Sequence, residues 1–220
     1  MNILSNFFES SCENVYGKCN TNEACEDQLV AIIDMKEKRI VTGNIIHNNT
    51  CEIRPEIDSS IFSDSKTIVI VLESPHKKEY YNKKSIGPAR GTTGKNINNH
   101  IVDILKQSKL EEVLYKLYLV EAVSYQCSNG EDPIDKDKRD LVFKEVWKNG
   151  GKEDFISRMN DLQPDVIINS CTGGINMINS GDRLNKLVDN ELKNLCKDNI
   201  KCFDTAHPSS YWFWKKGIDR

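Results

Sequence analysis

Thr67-Ile68-Val69-Ile70-Val71-Leu72-Glu73-Ser74-Pro75-His76 is the stretch that decides the fold. Its first six residues are a short, unbroken, β-branched apolar run. Such a run suits a strand buried on both faces of a parallel sheet. The polar residues that follow at once, with Pro75 among them, end the strand and begin a loop.

Working outward, the same alternation repeats. A helix is expected from about Lys95 to Gln107, with Ile97, Ile101, Ile104 and Leu105 on one face. Leu117 to Val123 reads as a second strand, and helical patterns cover Lys136 to Trp147 and Lys152 to Leu162. Pro164 to Asn169 reads as a third strand, followed by the turn Ser170 to Gly174. A helix from about Asp182 to Lys197 and a strand from Asn199 to Phe203 close the series. Strands alternating with helices predict an α/β domain over 66–220: three layers, α/β/α, around a central parallel four-stranded sheet. Residues 1–65 read as an N-terminal elaboration packed on it. Within them Leu29 to Ile33 and Arg39 to Val41 flank a charged turn and suit a hairpin, ended by Gly43. His47-Asn48-Asn49-Thr50 reads as a loop.

The bulk properties narrow the function. The chain has 220 residues and a net charge of -3, which argues against a broadly basic nucleic-acid coat. A local basic strip remains, since Lys77, Lys78, Lys83, Lys84, Arg90 and Lys95 share one segment and Lys215, Lys216 and Arg220 close the chain. No stretch approaches the roughly 20 apolar residues of a membrane span, and no secretory signal is read, so a cytoplasmic protein is expected. The eight cysteines include no C-x-x-C pair. Cys12, Cys19, Cys25, His47 and Cys51 match no ordinary ligand spacing, so no metal site is assigned and reduced, mostly buried thiols are expected.

In open parallel sheets the chemistry lies beyond the carboxyl ends of the strands. Three loops follow strands in that way. Leu72-Glu73-Ser74-Pro75-His76 puts a carboxylate at a strand's end, where capping its own loop or pairing with Lys77 is the plain alternative. Gly87-Pro88-Ala89-Arg90-Gly91-Thr92-Thr93-Gly94-Lys95-Asn96 opens a helix and suits a phosphate. It is not a P-loop, because Ala89 replaces the first Gly and Asn96 the Ser/Thr. Ala206-His207-Pro208-Ser209 holds a histidine in a turn stiffened by proline.

In order and spacing, these loops resemble the uracil-DNA glycosylase superfamily, in particular the branch whose first motif reads G-E-A-P-G. L-E-S-P-H stands in that place here. Gly87 to Gly94 is similar to that branch's Gly-rich loop, Leu117 to Val123 to the strand ending in its base-reading Asn, Asn129 to Pro133 to the following turn, and Pro164 to Ile168 to P-x-V-I-V. His207-Pro208-Ser209 matches the second catalytic motif, and the likeness covers roughly 66–216. It implies a base-flipping enzyme that hydrolyses an N-glycosidic bond and leaves an abasic site. Glu73 would stabilise the sugar cation or orient water, and His207 would donate to the leaving base. Ser74, Pro75, Gly91, Thr92, Thr93, Lys95 and Ser209 would hold the DNA backbone. Tyr211, Trp212 and Trp214 are wedge candidates for the gap left by the flipped base, their plain alternative being packing of the C-terminus.

The departures concern the base. Glu121 falls where the family reads uracil with Asn; an ionised carboxylate is acceptor-only and suits N4–H₂ of cytosine rather than O4 of uracil. Ala89 falls where a Phe covers the base, and His76 where related enzymes carry Gly or Tyr. Together with the base-binding trio His76, Ala89 and Glu121, this points to a cytosine with a bulky polar C5 group, glucosylated hydroxymethylcytosine of phage DNA being the candidate, as in phage-defence glycosylases of the superfamily. The branch's four-Cys iron–sulfur cluster lacks its ligands here, so no cofactor is expected. DNA, double- or single-stranded, is the expected partner, with no membrane and a monomeric protein. The alternatives are a glycosylase for uracil or another deaminated base with Glu121 protonated, and a catalytically silent DNA- or nucleotide-binding module.

Overall fold

The computed structural model describes residues 3–43, 45–46, 52–130, 135–174, 182–196 and 199–218. His47 to Cys51, Glu131-Asp132-Pro133, Lys197 and Arg220, on which some sequence readings fall, lie outside the described residues.

Thr67 to Leu72 does form a strand buried on both faces. The helices are α1 (Ile3–Tyr16), α2 (Thr92–Lys106), α3 (Lys136–Val146), α4 (Lys152–Leu162), α5 (Leu184–Leu195) and α6 (Trp212–Lys216). The strands are β1 (Gln28–Asp34), β2 (Arg39–Gly43), β3 (Lys66–Leu72), β4 (Tyr80–Tyr81), β5 (Lys84–Ser85), β6 (Leu114–Glu121), β7 (Val166–Asn169) and β8 (Lys201–Asp204). One sheet has six strands in the order β2-β1-β6-β3-β7-β8, and β4 and β5 form a small separate hairpin. β6, β3, β7 and β8 are mutually parallel, while β1 runs antiparallel to both β6 and β2.

The four parallel strands are those the apolar runs predict. The sheet is nevertheless six-stranded. The expected 29–41 hairpin forms, but it pairs edge-on with β6 instead of packing against a finished sheet. The cause is visible in its own sequence. Val30 to Ile33 are fully buried, so β1 needs cover on both faces, whereas β2 is largely exposed and polar enough to stand at an edge.

Alternate residues of β3 face opposite cores. Val69 and Val71 join α1, α3, α4 and α5 on one side. Ile68, Ile70 and Leu72 join Ile97, Ile101, Ile104 and Leu105 of α2, and Phe213 of α6, on the other. Helices on both faces of the sheet give the α/β layering expected. α1, with Leu4, Phe8 and Cys12 buried, is an element the sequence reading left out.

The expectation of reduced thiols fails at one pair. Cys196, at the end of α5, and Cys202, in β8, form a disulfide with Cα atoms 6.2 Å apart, within bridging distance. Cys12, Cys25, Cys127 and Cys171 are free and buried, and Cys19 is free and half-buried. No helix among the described residues is long and apolar enough to cross a membrane.

Candidate functional site

All four parallel strands end at one cavity of about 300 Å³. β3 delivers Glu73, β6 ends on Glu121, β7 is followed by Thr172 and β8 by His207, and all four side chains line the cavity. The ladders extend past the strands and fix these loops. Val123 N–H donates to the Glu73 carbonyl (3.0 Å), Ser170 N–H to Val71 (2.8 Å) and Thr205 N–H to Asn169 (2.9 Å).

Glu73 is buried and held from three elements. Thr172 Oγ1 donates to Oε2 at 2.5 Å and Ser74 Oγ to Oε1 at 3.2 Å. Arg139, from α3, stands 3.2 Å from Oε1. Burial pushes the Glu73 carboxyl above its ordinary range, while the Arg139 charge and the Thr172 hydroxyl pull the other way.

His207 is held within its own turn. Its Nδ1 takes the Ser209 backbone N–H at 3.2 Å and lies 2.8 Å from Ser209 Oγ. A backbone N–H can only donate, so Nδ1 carries the lone pair and the neutral ring bears its proton on Nε2. Desolvation by the walls of the cavity, helped by Arg139, lowers the imidazole to about 4. Near neutral pH His207 is therefore a neutral donor at the rim of the cavity.

The Gly-rich loop reaches the same place. α2 begins at Thr92, three residues before the expected start at Lys95, after Gly91 as an N-cap without a side-chain hydrogen bond, and Gly91, Thr92 and Thr93 line the cavity. Asn96 Nδ2 donates to the Pro208 carbonyl at 2.6 Å, tying this helix to the His207 turn. A Cβ at Gly94 would collide with the Ala89 carbonyl, so only glycine lets the loop close onto the helix.

Of the base-binding trio, His76 and Glu121 line the cavity and Ala89 does not. Ala89 is buried in the α2-side core with φ 56°. Its N–H donates to Glu79 Oε1 (2.7 Å) and its carbonyl accepts from Arg54 (3.3 Å). Those bonds turn the residue inward, so its small side chain does not open the cavity.

Glu121 lines the cavity at the end of β6. It is 2 % exposed, and its Oε2 has no hydrogen-bond partner among the described residues. Burial, with Glu79 and Glu73 nearby, holds its carboxyl well above the ordinary range. Both causes favour its un-ionised form, the alternative in which it could donate as well as accept.

The remaining assignments divide. Ser74, Pro75 and Ser209 line the cavity, but the Ser209 hydroxyl and N–H both serve His207. Lys95 is exposed on α2 and is not part of the lining. Tyr211 and Trp212 are exposed, at 51 % and 52 %, while Trp214 stacks on His100 with ring centres 4.9 Å apart. All three lie off the cavity, next to Phe213, which is the aromatic that packs the core. Arg90 leaves the basic strip, since Nε and Nη2 bond the Ile86 and Glu52 carbonyls.

Sequence reasoning missed Arg139, Thr172 and Glu79. Glu79 had a signal, because it stands three residues after His76 in a capping box. Its Oε2 takes His76 N–H (2.6 Å) while Oε1 takes Ala89 N–H, so one carboxyl staples two site loops. Burial pushes it up to about 7. Thr172 lies in the loop after a parallel strand, where the strand-end rule applies. Arg139 carries no local signal.

No group of three or more His, Cys, Asp or Glu residues suited to a metal occurs among the described residues. Comparison with family models, with curated proteins and with solved structures gives no match.

Proposed function

We propose that this protein is a DNA glycosylase that hydrolyses the N-glycosidic bond of a flipped pyrimidine nucleotide. The observation that carries the reading is the pairing of a buried, three-point-held carboxyl, Glu73, with a neutral Nε2–H donor, His207, around one cavity. Cleavage of this bond builds positive charge on the sugar and negative charge on the departing base. An anion at Glu73 stabilises the first and orients water. A neutral imidazole donates to the second without protonating it outright.

The cavity's volume is at the small end of ligand pockets, in keeping with one nucleobase. A bulky C5 substituent would project toward its mouth. The uncapped start of α2 and its two threonines offer N–H and hydroxyl groups to a flanking phosphate.

For the base itself, the reading is a C5-modified cytosine, with glucosylated hydroxymethylcytosine as the candidate and His76 facing the substituent. Uracil is a second reading, favoured by the burial of Glu121 beside other carboxyls, which raises its carboxyl well above the ordinary range. An un-ionised acid donates from one oxygen and accepts at the other. It can pair with N3–H and O4 of uracil or, with its proton on the other oxygen, with N3 and N4–H₂ of cytosine.

The test is to incubate the protein with plain, uracil-containing and glucosyl-hydroxymethylcytosine DNA and count abasic sites. Abasic sites in the glucosylated DNA alone support the first reading. Efficient uracil release without action on modified cytosine replaces it with the second. No abasic sites in any of the three leaves the silent binding module.

A further inference from the structure

We infer that Arg139 is a positioning residue whose guanidinium, paired with Glu73 inside the cavity wall, favours the carboxylate form of Glu73.

Arg139 projects from α3, away from the strand-end loops, yet it lines the cavity beside Glu73. Its Nε lies 3.2 Å from Glu73 Oε1. Nε and Nη2 also bond Asp140 Oδ1, at 2.9 and 2.6 Å. The three side chains are 13 %, 6 % and 7 % exposed for Arg139, Glu73 and Asp140. A guanidinium clamped this way has little freedom to swing off Glu73.

The need for such a cation follows from what surrounds Glu73. Glu121 faces it from β6 and Asp140 from α3, and the thiols of Cys127 and Cys171 adjoin it. Ser74 and Thr172 give it hydrogen bonds but no charge. Burial disfavours its ionised form. Among the described residues, Arg139 is the cation in ion-pair contact with Glu73, and its positive charge favours a carboxylate. A carboxylate at Glu73 is the state the glycosylase reading requires, and the purpose of the arrangement rests on that reading.

The test is a titration of the full chain, without DNA. The Glu73 carboxyl carbon is followed by NMR and assigned with Glu73→Gln. In Arg139→Gln the Glu73 midpoint should rise by about one to three pH units. In Arg139→Lys, which keeps the charge, it should rise by less. A folded Arg139→Gln with the Glu73 midpoint unmoved means a merely structural ion pair and overturns the inference. Should that variant fail to fold, the Arg139 Nε resonance of the wild-type protein is read instead. It should move in step with the Glu73 titration, and a flat response overturns the inference. Because no substrate enters, titrations that behave as expected in a protein that releases no base would sink the glycosylase reading alone.

Discussion

Glu73 and His207 occupy equivalent places, each in the loop after a parallel strand, yet they are held in opposite ways. Glu73 is buried and gripped by Ser74, Thr172 and Arg139, from three parts of the chain. His207 is partly open and held by Ser209, two residues on. The difference teaches what each job demands. A carboxylate inside a protein needs paired charge and hydrogen bonds from all round. A neutral imidazole needs only one acceptor role fixed to define its tautomer.

That contrast can be broken most severely at Glu73. Glu73→Gln keeps the shape and removes the anion, and base release should fall about a thousandfold while DNA binding persists, as measured by single-turnover release and a binding titration. His207→Ala comes next. Losing one donor to the leaving base should slow release about a hundredfold. The same variant sharpens the comparison through stability. The folded-state value of His207 is depressed, so the native protein resists a proton that the unfolded chain accepts. That stability is present above about pH 6.5 and is lost as pH falls toward about 4. Thermal melts across this window should show a smaller acid-side loss in His207→Ala than in the wild type.

Glu121 offers a smaller effect and a check on its neutrality. Glu121→Gln, itself neutral, should stay close to wild-type rate, whereas Glu121→Ala should lose about tenfold. The raised folded-state value of Glu121 means its stability is lost as pH rises, so Glu121→Gln should gain on the wild type in alkaline melts. Ser209→Ala should cost the least, a few-fold in release, because the Ser209 backbone N–H still fixes the tautomer.

The same contrast marks how far the sequence could be read. The strand runs at 67–72 and 166–169 were legible because burial on both faces leaves an unbroken apolar run. His207 was legible too, since its loop and its holder are neighbours. α1 was passed over, having few apolar positions and no acidic first turn. The edge pairing of β1 with β6 depends on a partner far along the chain. The grip on Glu73 was hidden for the same reason. Thr172 lies 99 residues away, and Arg139 sits in a helix whose pattern says only that it is amphipathic. Ala89 was misplaced because a positive φ and a bond to Glu79, not the loop's composition, decide which way it faces. What favours the un-ionised form of Glu121, its burial and its acidic neighbours, is a property of the folded cavity and not of the local sequence.

The most direct measurement is the mass of what leaves the DNA. Modified-cytosine and uracil DNA are incubated with the wild-type protein, and the low-mass products are identified by mass spectrometry. The account predicts a free pyrimidine base, with one abasic site for each base released and none with Glu73→Gln. A released nucleotide, a broken strand without a free base, or base release undiminished in Glu73→Gln would contradict it.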